Sequence, residues 1–132
     1  MKRLLVDSDF LVGVFRQEDT NHQKAIGLLE KMKEEEVELW MSNLVHQESA
    51  TVVSHRVGME AVRSFVKNLA SDIHRRVLVD EELEKKTWKI FLSQTKKGCS
   101  FVDCANLAVI NKYKLDGILS FDEFYSKSLR LE

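Results

Sequence analysis

The sequence predicts a three-layer α/β/α domain built on a parallel sheet of four or five strands. Short apolar runs that suit buried strands alternate with longer stretches whose apolar residues recur at helical spacing. Proline is absent and glycine occurs five times, which favours long helices and short connections over a many-stranded β fold. The 132 residues suit one domain, 1–132, with a single core and no internal repeat, linker or low-complexity segment.

The elements follow in order. Leu4-Leu5-Val6 reads as a strand buried on both faces. Residues 10–16 begin the first helix. Thr20 and Gln23 fit a capping box that starts a second helix near residue 21, with the stripe Ala25, Leu28, Leu29 and Met32. Leu39-Trp40-Met41 is the second strand. Ser42 then caps a helix that stops at Gly58, and a further helix covers residues 59–71 with Val62, Phe65, Val66 and Leu69 on one side. Val77-Leu78-Val79 is a third strand. Asp80 caps the next helix, whose stripe is Leu83, Trp88, Phe91 and Leu92. Lys96-Lys97-Gly98 closes it, with cations where the helix dipole favours them. Ser100 opens a helix to about residue 114, Gly117-Ile118-Leu119 is a fourth strand, and residues 128–131 form a short fifth.

Composition narrows the function. Lys and Arg total 20 against 21 Asp and Glu, so the chain lacks the bulk positive field of a non-specific nucleic-acid binder. Its apolar runs are too short to cross a bilayer. Met1-Lys2-Arg3 precedes only three apolar residues before Asp7, too few for a signal peptide, and the expected compartment is the cytoplasm. Cys99 and Cys104 are too few for a disulfide scaffold and are expected as buried thiols. The four histidines show no zinc spacing.

The chemistry rests on acids. Asp7 directly follows the first strand, and Ser120-Phe121-Asp122 follows the fourth, so two acids take equivalent positions at the carboxyl edge, where parallel sheets bind ligands. Each alone also suits a turn or cap. Glu48 falls between Leu44 and Val45 on the apolar stripe of its helix. A carboxylate there needs a partner, such as Arg56 or Arg3, or a cation. Asp103 completes a serine-x-x-acid cap with Ser100 and opens a helix that is apolar nearly all round, and Asn106 lies one turn on along the same face. Asp7, Glu48, Asp103 and Asp122 thus each sit after a strand or near a helix start. Clustered carboxylates repel one another and call for a cation, and oxygen ligands favour Mg²⁺ or Mn²⁺ over Zn²⁺.

Together these segments resemble the PIN-domain ribonucleases, most of all the small VapC-type toxins of toxin–antitoxin pairs. The resemblance spans essentially the whole chain. It is carried by Leu5-Val6-Asp7-Ser8-Asp9, residues 42–48, Ser100-Phe101-Val102-Asp103 and Leu119-Ser120-Phe121-Asp122. It implies four acids in one pocket holding Mg²⁺ or Mn²⁺, and endonucleolytic cleavage of RNA to a 5′-phosphate and a 3′-hydroxyl. It assigns Asp7, Glu48, Asp103 and Asp122 as catalytic and metal-holding. Asp9, Ser120 and Asn106 are flanking positions that support the carboxylates or touch substrate. It also implies a homodimer held silent by an antitoxin. The two central helical stripes, Ala25 to Met32 and Val62 to Leu69, are the candidates for a surface that seeks a partner. Two positions depart from the pattern: Asp9 stands where Asn is common, and Phe124 where a further acid is common. Arg3, Arg56, Lys96 and Lys97 are candidate RNA contacts, though each also suits a solvated surface.

Other classes fit parts of the pattern. A housekeeping RNA-processing nuclease would use the same acids. Val6-Asp7-Ser8-Asp9 also resembles the opening of haloacid dehalogenase-like phosphatases, although Leu11 stands where that family has Thr or Val. A PIN-like module kept for protein contacts would bind no metal.

Overall fold

The computed structural model describes residues 1–132. The elements are β1 (Arg3–Val6), α1 (Ser8–Phe15), α2 (His22–Glu34), β2 (Glu38–Ser42), α3 (Asn43–Arg56) and α4 (Met59–Asp72). They continue with β3 (Arg75–Val77), α5 (Glu81–Leu92), α6 (Phe101–Tyr113), β4 (Gly117–Leu119) and β5 (Arg130–Leu131). The strands form one sheet in the order β3-β2-β1-β4-β5, and every pairing is parallel.

Side-chain alternation along the strands divides the core in two. Leu4, Val6, Leu39 and Met41 face one side, where they pack with residues of α1, α2, α3 and α4. Leu5, Trp40, Val77 and Ile118 face the other, with α5, α6 and Tyr125. The layers are therefore α/β/α. No helix is long and apolar enough to cross a membrane.

Several local expectations change. The second helix has no Thr20–Gln23 box. Its N-cap is Asn21 without a side-chain cap bond, and the Asp19 carboxylate accepts from Asn21 N, while His22 Nδ1 bonds to Gly13 O. The third strand lies two residues earlier than its apolar triplet, because β3 is an edge strand paired only with β2. Val77 alone of that triplet is buried, and Leu78 is 68% exposed. Helix α5 ends at Leu92, ahead of Lys96-Lys97-Gly98. Its buried residues are Leu83 and Thr87, while Trp88 and Leu92 are exposed.

The two stripes expected to seek a partner instead close the core: Ala25, Leu29, Met32, Phe65 and Leu69 are all buried. The large exposed apolar side chains are Met1, Val57, Met59, Leu78, Trp88 and Leu92. Of the cysteines, Cys104 is buried and Cys99 is half-buried.

Candidate functional site

The register of β1 and β4 builds the centre of the site. Val6 pairs with Leu119, so the next residues, Asp7 and Ser120, emerge side by side at the carboxyl edge. Asp7 N donates to Leu119 O at 3.0 Å, which extends the ladder by one bond. Ser120 Oγ donates to Asp7 Oδ2 at 2.7 Å. Asp7 Oδ1 accepts from Ser8 N at 2.9 Å, which caps α1, and from Asn106 Nδ2 at 3.3 Å. The cap role and the site role therefore coexist in one carboxylate.

Helix α6 enters from the other side of the sheet. Ser100 and Asp103 form the expected capping box: Ser100 Oγ accepts from Asp103 N at 3.0 Å, and Asp103 Oδ2 accepts from Ser100 N at 2.9 Å. One turn later, Asn106 Nδ2 also donates to Tyr125 Oη at 2.9 Å. Tyr125 Oη stands 3.4 Å from Asp103 Oδ1. The buried phenol thus ties Asn106 and Asp103 to the segment after β4.

Asp9 and Asp122 complete the group. The Asp9 carboxylate accepts from Phe121 N at 3.1 Å. Asp122 N donates to Ser120 Oγ at 3.0 Å, and Asp122 Oδ1 accepts from Phe124 N at 2.9 Å. Ser120 is thereby the hub between Asp7 and Asp122. Glu48 attaches through one intermediary: Ser8 Oγ donates to Glu48 Oε2 at 2.7 Å, and the same residue's N–H caps onto Asp7. Neither basic residue considered for Glu48 reaches it. Arg56 pairs with Asp19 at 3.9 Å, and Arg3 binds Lys114 O.

The electrostatics are those of an uncompensated negative pocket. Burial, followed by the charge of Asp9, raises Asp7 to about 7. Burial, with the charge of Asp122, raises Asp9 to about 6. Burial also raises Asp103, with Asp122 again adding to the effect. None of the salt bridges in the molecule involves Asp7, Asp9, Glu48, Asp103 or Asp122. Asn106 Oδ1 is the one buried side-chain polar atom without a hydrogen-bond partner, and its own amide nitrogen touches Asp7. As the side chains stand, no three acidic, histidine or cysteine groups surround a common point closely enough to hold a metal ion. An all-oxygen donor set with spare lone pairs and no cation partner does fit a hard divalent ion by its chemistry.

No family model matches the sequence, and no curated protein matches it. Solved structures do. VapC20 of Mycobacterium tuberculosis, a toxin that cleaves the sarcin–ricin loop, superposes with a TM-score of 0.78 at 23% identity, over 90% of this chain and 89% of its own. VapBC2 of Rickettsia felis, solved on a DNA fragment from its promoter, gives a TM-score of 0.69 at 14% identity, over 98% and 97%. The chain has the PIN-like fold of VapC toxins. The VapC fold accounts for the sheet order and its flanking helices over nearly the full length of the chain. The side-chain network described above belongs to this chain itself.

Ser8 and Tyr125 were not among the residues expected in the site. Ser8 sits between two expected acids in the sequence, and its hydroxyl gives no signal until α1 and α3 are packed together. Tyr125 lies in irregular chain after β4, where no periodicity marks a side chain as inward.

Proposed function

We propose that this protein is a Mg²⁺- or Mn²⁺-dependent endoribonuclease, and the toxin of a toxin–antitoxin pair. The observation that carries the reading is a group of buried and half-buried aspartates with raised affinity for protons and no salt-bridge partner, at the carboxyl edge of a parallel sheet. The likeness to VapC20 supports RNA as substrate, and the likeness to VapBC2 supports an antitoxin partner.

Asp7 and Asp103, with Glu48 or Asp122, would hold the cation. The cation would offset charge on the phosphate in the transition state and make water a stronger nucleophile. The chain's own residues do the positioning. Ser120 holds the Asp7 carboxylate in place and orders the Asp122 backbone. The Ser100 box fixes the rotamer of Asp103, and the Asn106–Tyr125 pair couples the two halves of the pocket. Burial of Asp7 and Asp103 limits screening by water, so these two charges count for more than they would at a surface.

The test is cleavage of single-stranded RNA with and without Mn²⁺, with the product ends mapped. Mn²⁺-dependent cuts that leave 5′-phosphates are expected, with loss of activity in Asp103→Asn. Cleavage that persists in excess chelator would contradict the reading. The phosphatase alternative predicts beryllofluoride binding at Asp7, which the nuclease does not.

A further inference from the structure

A cavity of about 510 Å³ adjoins the acid site on the side of the α5–α6 loop. Its lining includes Gln94, Lys96, Lys97, Asp122, Glu123 and Phe124. Asp122 belongs to the acid group, so cavity and site share a wall. The volume falls within the roughly 300–1,000 Å³ typical of small-ligand pockets.

The two lysines have no structural employment. Helix α5 ends at Leu92 with Ser93 as its cap, so Lys96 and Lys97 stand beyond the last turn, where the helix dipole has little hold. Both are exposed, and neither forms a salt bridge. The loop's own backbone is tied off independently: Ser93 Oγ and Gln94 Nε2 both donate to Ile90 O. Gly98 holds a φ of 107°, which lets the loop turn back toward α6. Phe124, which lines the same cavity, is half-buried. Its N–H is fixed on Asp122 Oδ1, and its ring meets Tyr125 edge-on at 5.1 Å. Two cations without a salt-bridge partner and an anchored aromatic ring therefore line one cavity, together with the Asp122 and Glu123 carboxylates.

We propose that this cavity is a nucleotide subsite for the residue neighbouring the scissile phosphate. Lys96 and Lys97 bind backbone phosphate, and the Phe124 ring stacks on the base. The assignment rests on the ribonuclease reading and extends it: the lysines offset the Asp122 and Glu123 carboxylates that share the lining and would otherwise repel phosphate, and Phe124 selects for a stacked base.

The test is fluorescence anisotropy with a labelled single-stranded oligoribonucleotide in Mg²⁺. The full chain carries Asp7→Asn so that binding is read without turnover. Adding Lys96→Ala and Lys97→Ala together should weaken binding about tenfold. It should also lower the slope of log Kd against log salt by about 1.4, from roughly 0.7 per phosphate contact on a single strand. Phe124→Leu should weaken binding about five- to tenfold with the slope unchanged, and Phe124→Tyr, which keeps the ring face, should restore it. Unchanged affinity in the lysine variant, or in Phe124→Leu, overturns the proposal. Cleavage by the unsubstituted chain is measured in parallel. Cleavage without any lysine effect rejects the subsite and keeps the nuclease. A lysine effect without cleavage rejects the nuclease and leaves the cavity as an RNA-binding site alone.

Discussion

Asp7 is 3% exposed, and its carboxyl titrates near 7 rather than at the ordinary 3.8. Between those values the folded chain binds more protons than the unfolded one, so stability falls as pH rises through that window and is lowest above about pH 7. Asp9, raised to about 6, acts in the same direction over a narrower range. Metal-free protein should therefore melt at a lower temperature at about pH 8 than at about pH 5. Asp7→Asn should flatten that trend and gain at least about 1 kcal/mol at the higher pH. A melting temperature that climbs across the window would contradict this account of Asp7. The acids were legible because each carries a local signal: Asp7 and Asp122 follow strands, Asp103 completes a cap, and Glu48 interrupts a stripe. Asp9 was read as flanking, yet its charge is the largest charge effect on Asp7. Its part depends on which way the first turn of α1 faces, and that is fixed by packing against residue 121 across the sheet edge.

At the level of elements, the Ser100–Asp103 box does two tasks at once. It starts α6 and holds Asp103 in the pocket. Ser100→Ala should cost about 1 kcal/mol of stability. Its effect on RNA cleavage should be larger than its effect on melting, because Asp103 loses the partner that fixes its rotamer. Equal, small losses in both would mean the box is only a cap. Gly117 makes a different demand. A Cβ built there would lie 2.5 Å from Leu129 O, the atom that accepts from Ile118 N. Gly117→Ala should push β5 off β4 and destabilise the fold by about 1–3 kcal/mol, read from denaturant unfolding. Strand and helix order followed from periodicity alone, whereas boundaries failed where tertiary position decides them. Val77-Leu78-Val79 has the apolarity of a central strand, but β3 lies at the sheet edge and needs only Val77 inside. Lys96-Lys97-Gly98 has the chemistry of a helix stop, but Ser93 and Gln94 already bond Ile90 O and Phe91 O in the last turn of α5.

Over the whole molecule, the sheet gathers the acids at one edge, with the lysine loop beside them. The exposed apolar side chains Trp88 and Leu92 lie one turn apart on α5, and Trp88 leans on Phe91 and Phe101. The homodimer expected from the sequence would use such a face, since the α2 and α4 stripes are spent on the core. Light scattering on the purified chain should then give twice 15.3 kDa, and Leu92→Glu, at a side chain 75% exposed, should halve it. A mass near 15.3 kDa at high concentration for the unsubstituted chain would count against a dimer. Co-purification from the native operon tests the antitoxin. A partner surface of this kind was not legible in the sequence, because an apolar stripe looks the same whether it faces a sheet or a second protein.

The central claim is that the aspartate group is a divalent-cation site. Calorimetric titration of Mn²⁺ into the metal-free chain tests it most directly. The account predicts saturable binding that is abolished or greatly weakened by Asp7→Asn and by Asp103→Asn, each of which remains folded. No binding at millimolar Mn²⁺, or binding that both variants retain unchanged, would contradict it.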